Sequence, residues 1–189
     1  KLKIGLILPL SGFLSDYGTS SKNFVDMAFE DYPELKDSVD VVYEDSAYDT
    51  KVAITAYRKL VSGDKVDVVY AFGAKMLEGI APLAERDNIP FFSAEMDGNF
   101  ASKYSTTFMF MNDIGEFSRV MLAGIRERGY KKALLIKNEN QFCNTWANGI
   151  IKNTKEGETA IDYLSVLPGT TDFRTNLLKL KKEKFDALG

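Results

Sequence analysis

Residues 66–93 read VDVVYAFGAKMLEGIAPLAERDNIPFFS, and this stretch decides the fold. Val66 to Phe72 is a short β-branched and aromatic run of the kind buried in a strand, and Gly73 supplies a turn. Lys75 to Asp87 spaces its apolar residues for a helix; Ile89 to Ser93, introduced by Pro90, is a strand again. Strand, helix of ten to fifteen residues, strand is a βαβ unit, and βαβ units build a parallel sheet with helices on its faces.

The same alternation extends in both directions. Leu2 to Leu10 is a nearly continuous apolar run, with Ile4, Leu6, Ile7 and Leu8, as expected of a strand covered on both faces, and it ends in Pro9-Leu10-Ser11-Gly12. A helix follows over about Tyr17 to Tyr32, stopped by Pro33. Next come a strand from Val39 to Tyr43, a polar loop through Tyr48 and Asp49, and a helix from Thr50 to Ser62 expected to close at Gly63. Downstream lie a loop rich in Gly98, Asn99 and Ser102, a strand at Thr107 to Met111, and a helix from Gly115 to Arg128. Lys132 to Lys137 reads as a strand, Thr145 to Lys155 as a helix, Ala160 to Leu167 as a strand and Asp172 to Lys184 as a helix, before a last short strand. The fold class is therefore α/β with parallel sheets. The polar stretch at Asn112-Asp113 divides the chain into residues 1–112 and 113–189.

Composition narrows the chemistry. At 189 residues, 45% apolar and 27% charged, the chain can bury a core without disulfide staples. Its 24 basic and 27 acidic residues leave a net charge of −3, which makes no electrostatic case for nucleic acid or an anionic membrane. Histidine is absent, which removes Ser-His-Asp and Cys-His catalysis and every His-ligated metal. The single cysteine, Cys143, removes internal disulfides and cysteine-rich zinc sites. No apolar run reaches 18 residues, and neither a GxGxxG nor a Walker-type lysine motif supports a nucleotide site. No cofactor or metal is expected. The chain begins Lys1-Leu2-Lys3-Ile4 without methionine, which suits a mature form or a trimmed chain whose signal peptide would not be visible. It ends in Phe185-Asp186-Ala187-Leu188-Gly189, which reads as a strand cut short, as expected of a fragment.

In open parallel sheets ligands bind at the carboxyl ends of strands, where helix amino termini offer free N–H groups. Three such ends are the loop Leu10 to Tyr17, the turn Phe72-Gly73-Ala74-Lys75, and the loop Ser93-Ala94-Glu95-Met96-Asp97. Gly73 either lets backbone approach a ligand or only meets the geometry of its turn. Glu95 and Asp97, two apart, can bind a ligand ammonium, hold a hard cation, act as acid and base, or stand solvated; with no companion nucleophile, ligand recognition ranks above catalysis. Cys143 reads as a small apolar residue rather than a nucleophile, and the run Lys179 to Lys184 as a solvated helix face. Phe91, Phe92, Phe108 and Phe110 read mostly as core. Tyr17, Tyr48 and Phe142 are placed in loops at strand ends, as walls for a ligand.

These residues resemble a known family. Lys3-Ile4-Gly5-Leu6-Ile7-Leu8-Pro9-Leu10-Ser11-Gly12 followed by Tyr17-Gly18 is similar to the first strand and loop of type I periplasmic solute-binding proteins, in particular the leucine/isoleucine/valine-binding group that feeds ABC importers. The succession continues with Tyr43-Glu44-Asp45 and Asp49, Lys59-Leu60-Val61, Asp67-Val68-Val69-Tyr70, Ala81-Pro82 and Asn88-Ile89-Pro90. It ends with Lys132-Ala133-Leu134-Leu135-Ile136, Gln141-Phe142 and Thr171-Asp172-Phe173. The resemblance implies two α/β lobes, each a parallel sheet flanked by helices, closing on a small ligand without covalent chemistry, and, because family members are longer, a second lobe that is incomplete here. It implies that Tyr17 and Phe142 are aromatics at the ligand, and that Glu95 contributes backbone toward an α-ammonium. Ala74 stands where amino-acid binders commonly carry a serine that holds the ligand α-carboxylate, although its N–H and that of Lys75 remain. Asp97 stands where threonine or serine is usual, which favours a cationic group or a hydroxyl and requires a partner for the carboxylate.

The function expected on this basis is an extracytoplasmic solute-binding protein, periplasmic and with or without a lipid anchor, that captures an amino acid or amino-acid-like metabolite and delivers it to the membrane permease of an ABC transporter. The binding residues expected are Tyr17, Gly73, Ala74, Lys75, Ser93, Glu95, Asp97 and Phe142. A ligand-sensing ectodomain with the same fold is the alternative, because fold does not fix function; an enzyme using Glu95 and Asp97 is a third reading.

Overall fold

The computed structural model describes residues 1–94, 98–139, 141–154, 160–167, 170–180 and 185–188. The apolar run at the start forms β1, Leu2–Leu8, and stops there because Pro9 has no N–H to continue a ladder. Strands β2 (Val39–Asp45), β3 (Val68–Ala71), β4 (Phe91–Ser93) and β5 (Thr107–Met109) join it in a parallel sheet of order β2-β1-β3-β4-β5. In the second half, β6 (Lys132–Asn138), β7 (Ala160–Val166) and β8 (Ala187–Leu188) form a parallel sheet of order β7-β6-β8. The chain divides into two compact units, Lys1–Met111 and Asn112–Gly189, each built around one of these sheets. The helices are α1 (Ser15–Asp31), α2 (Leu35–Ser38), α3 (Thr50–Arg58), α4 (Ala74–Asp87), α5 (Gly98–Ala101), α6 (Ile114–Glu127), α7 (Gln141–Asn153) and α8 (Arg174–Leu180).

The main core lies on one face of the first sheet. Ile7, Val69, Ala71 and Phe91 project from the strands onto Ala53, Ala56 and Tyr57 of α3 and Met76, Leu77, Ile80, Ala81 and Ala84 of α4. Burial of these side chains, at about 1.5–3 kcal/mol for each large one, is what holds α3 and α4 on the sheet. In the second unit Leu122 of α6, Leu135 of β6 and Ile150 of α7 form the corresponding centre.

The structure corrects several expectations. The helix that starts at Thr50 does not close at Gly63. It widens into a π-helical turn, Lys59–Asp64, and ends at Lys65 in the left-handed region (φ 55°), whose N–H bonds back to the Leu60 carbonyl. Lys3 Nζ fastens that end by donating to the Asp64 carbonyl at 2.7 Å. The segment from Gly98 is the short helix α5 rather than a loop, and α2 was not legible at all. Helix α1 begins at Ser15 and α7 at Gln141, so Tyr17 and Phe142 are helical residues and not loop residues. Of the four strand phenylalanines only Phe91 is core, at 0% exposure; Phe92, Phe108 and Phe110 are 39%, 47% and 60% exposed. The register explains this, since Leu6, Tyr70, Phe92 and Phe108 lie side by side on the face opposite α3 and α4. There Phe92 stacks on Phe108 (5.2 Å between centroids) and Tyr70 meets Phe110 (5.7 Å). Glu95, Asp97 and much of the run Lys179 to Lys184 lie outside the described residues.

Candidate functional site at the carboxyl edge of the first sheet

One carboxylate organises the strand-end loops. Asp45, the last residue of β2, accepts from Leu10 N (2.8 Å), Ser11 N (3.2 Å) and Ala47 N (2.8 Å) through one oxygen. Burial alone would raise its pKa, but the Ser11 hydroxyl and these amides outweigh it and hold the carboxyl below the usual aspartate range. The loop after β1 and the turn after β2 are thereby tied to a single point. Asp49 then starts α3, its carboxylate accepting from Lys51 N at 2.8 Å and Val52 N at 3.0 Å.

Helix α1 is brought in by a close approach. A Cβ on Gly18 would lie 2.2 Å from the Pro9 carbonyl oxygen, so only glycine lets the first turn of α1 rest on the end of β1. That contact fixes Tyr17, which is 60% exposed, with its ring 5.8 Å from that of Phe72.

After Phe72 the chain turns through Gly73 at φ 99°, a conformation that L side chains rarely adopt. The Gly73 carbonyl accepts from Met76 N (3.0 Å) and Leu77 N (3.3 Å), closing the first turn of α4. As the first amides of that helix, Ala74 and Lys75 have no intrahelical acceptor. Ser93 ends β4 beside Ala71, fully buried, with no hydrogen-bond partner for its hydroxyl among the described residues. The structure thus brings Tyr17, Gly73, Ala74, Lys75 and Ser93 to the carboxyl edge of one sheet, with Ser93 turned to the core face.

In the second unit Phe142 is the second residue of α7 and 47% exposed. Lys137, at the end of β6, donates to Asn144 Oδ1 on that first helical turn and to Glu139 Oε1 at 3.4 Å. The Ser165 hydroxyl and then Lys137 hold the Glu139 carboxyl below its ordinary range. This network, from residues that carry no pattern in sequence, joins the end of β6 to the first turn of α7. The organising role of Asp45 is likewise not legible in sequence, where it shows only as an aspartate at a strand end and as part of the Tyr43-Glu44-Asp45 match. Among the described residues no group of three acidic, histidine or cysteine side chains is placed to hold a metal, and no helix is long and apolar enough to cross a membrane.

A family model described as periplasmic binding protein matches residues 1–189. The chain belongs to the periplasmic binding protein family. Solved periplasmic binding proteins share its fold. A solute binding protein of an ABC transporter from Rhodopseudomonas palustris, in complex with 3,4-dihydroxybenzoic acid, is 19% identical with a TM-score of 0.85, over 99% of this chain and 53% of that one. A leucine binding protein from Thermotoga maritima is 20% identical with a TM-score of 0.84, over 100% and 55%. A branched-chain amino acid transporter substrate binding protein from Streptococcus pneumoniae, in complex with isoleucine, is 22% identical with a TM-score of 0.83, over 100% and 56%. This periplasmic binding protein chain spans about half the length of these structures. No curated protein matches its sequence.

Proposed function

We propose that the chain is the ligand-capturing part of an extracytoplasmic solute-binding protein, serving the membrane permease of an ABC importer, and that its ligand is a small carboxylic acid of the amino-acid or amino-acid-like class. Capture requires no covalent chemistry. The observation that carries this reading is the turn Gly73-Ala74-Lys75, where two amides without intrahelical acceptors open at the carboxyl edge of the sheet beside the Tyr17 and Phe72 rings. Amides aimed outward at a helix amino terminus suit a carboxylate, and the adjoining aromatics suit an apolar body. Isoleucine and 3,4-dihydroxybenzoic acid, bound by two of the similar proteins, are both carboxylic acids. Tyr17, Gly73, Ala74, Lys75, Ser93, Glu95 and Asp97 are the residues proposed from the first unit, and Phe142 from the second. Ser93 acts from beneath the edge, by shaping the turn. Residues 1–112 and 113–189 are the proposed lobes.

The test is isothermal titration of the full-length protein against leucine, isoleucine, valine, 3,4-dihydroxybenzoate and neutral sugars. Saturable heat with an acid and silence with the sugars is the expected result. Silence across all the acids would overturn the ligand class.

A further inference from the structure

Tyr48 has no part in the reading above, yet several features of the local architecture converge on it. Ala47 and Tyr48 are consecutive non-glycine residues in the left-handed region, at φ 45° and 55°. Such strain persists only where the surroundings over-determine it, and it clusters at functional positions. Here Asp45 accepts from Ala47 N at 2.8 Å, while the buried Ser46 donates its N–H to the Leu8 carbonyl at 2.8 Å and accepts from Tyr48 N at 3.2 Å through its hydroxyl. The strained pair delivers the Tyr48 ring to Gly73, where a Cβ would lie 2.6 Å from Cε2 of the ring. The ring also packs on the main core and carries the Lys75 ammonium 5.4 Å from its centroid.

Lys75 is at the wrong end of α4 for its charge. A cation in the first turn of a helix opposes the macrodipole, and that turn holds no acidic residue to compensate. The Tyr48 ring is the partner that holds this charge against the dipole, and local rules are broken in this way at functional positions. We propose that Tyr48 is the specificity-determining residue of this site: its ring seats the Lys75 ammonium beside the Gly73 turn, and the seated charge makes the site prefer an acid over the corresponding uncharged amide. A free lysine side chain spreads over many rotamers and its charge is diluted by solvent; one held over a ring is focused at a single place. The proposal rests on the reading that the turn 73–75 receives the ligand's carboxylate.

The experiment is calorimetric titration of the full-length protein with isoleucine against isoleucinamide, and 3,4-dihydroxybenzoate against 3,4-dihydroxybenzamide, in wild type, Tyr48→Leu, Tyr48→Phe and Lys75→Gln. The quantity read is the ratio of amide Kd to acid Kd. Tyr48→Leu and Lys75→Gln are expected to lower that ratio about fivefold, and Tyr48→Phe, which keeps the ring face, to restore most of it. A role for Tyr48 in folding alone would weaken acid and amide together and leave the ratio fixed, which would overturn the proposal; so would a Tyr48→Phe ratio as low as that of Tyr48→Leu. Lys75→Gln keeps the test valid if Tyr48→Leu does not fold. In the wild type the Lys75 ε-methylene protons should be shifted upfield by the ring, and their absence from that position refutes the seat itself. A wild type with the ring shift that binds neither acid refutes the ligand class instead.

Discussion

Replacing Asp45 by asparagine tests the claim that one carboxylate ties two strand-end loops together. The carboxylate oxygen accepts from three amides in the native state, at 2.8, 3.2 and 2.8 Å. Hydrogen bonds to a charged acceptor contribute roughly 1.5–3 kcal/mol each when well buried. Asp45 is partly solvated, so about 1 kcal/mol per bond is appropriate, and about 2–3 kcal/mol for the cluster. An amide oxygen retains the geometry and loses the charge, so Asp45→Asn should cost about half of this and Asp45→Ala all of it. The pH dependence follows in sign from the depressed pKa. The native carboxyl titrates below the unfolded one, so its contribution is fully present above the unfolded value near 4 and is lost as pH falls through the lower native value. Urea unfolding of wild type and both variants at a series of pH values from 3 to 7 reads this directly: the wild-type advantage should be constant at neutral pH and shrink toward pH 3. A wild-type advantage that does not change between pH 7 and pH 3 would refute the clamp, as would an Asp45→Ala penalty below about 0.5 kcal/mol, the range of an ordinary surface substitution.

Other consequences can be checked in the same way. Gly18→Ala should lower stability by about 1–3 kcal/mol by thermal melt although alanine is the better helix former by about 1 kcal/mol, because the added methyl meets the Pro9 carbonyl and not a movable side chain. Unchanged or raised stability would mean that α1 does not rest on β1 as described. Phe91→Ala should cost about 3–5 kcal/mol, whereas Phe108→Ala, one strand away on the other face, should cost under about 1.5 kcal/mol. Chemical denaturation of the two variants side by side would expose an error in the register if the order reversed. Asp49→Ala should cost about 1 kcal/mol by removing the cap of α3, with the loss visible as faster amide exchange at Lys51 and Val52.

How far the sequence goes depends on which physical effect sets each feature. Alternation of apolar runs with helical spacing is local, and it delivers β1 through β5 and helices α1, α3 and α4 with errors confined to their ends, while the four-residue helices α2 and α5 are too short to show a period. Where an element starts or stops on a tertiary contact, local pattern fails. The π-turn at Lys59–Asp64 ends on a carbonyl that accepts from Lys3, more than fifty residues earlier, and the first turn of α7 carries a bond from Lys137 at the end of β6, contacts that no local window contains. The strand phenylalanines fail for a different reason. Hydrophobicity marks Phe92 and Phe108 as strand residues as surely as it marks Phe91, but it carries no information on which face of the sheet receives a helix.

The candidate site divides along the same line. Residue types at strand ends are readable, so Tyr17, Gly73, Ala74 and Lys75 stand out together in the sequence, and the structure does set them on one edge. What could not be read is the dependence among them. Gly73 looks like an isolated turn glycine until the Tyr48 ring is found 2.6 Å from where its Cβ would be, and Tyr48 looks like an exposed loop aromatic until its φ of 55° shows how firmly it is held. Asp45 connects both to the loop that leads into Tyr17. Tyr17, Asp45, Tyr48 and Gly73, gathered at three strand ends, therefore form one mechanical unit, and the unit makes a joint prediction that no single residue does. Substitutions at Asp45, Tyr48 and Gly73 should be non-additive in their effect on stability, with a coupling energy of about 0.5–3 kcal/mol between Tyr48 and Gly73. The direction is fixed by the geometry: Gly73→Ala should be less damaging in a Tyr48→Ala background than in the wild type, because part of its cost is the clash with the ring and only the remainder is backbone strain at φ 99°. Equal penalties in the two backgrounds, measured by urea unfolding, would leave Tyr48 without a hold on the turn.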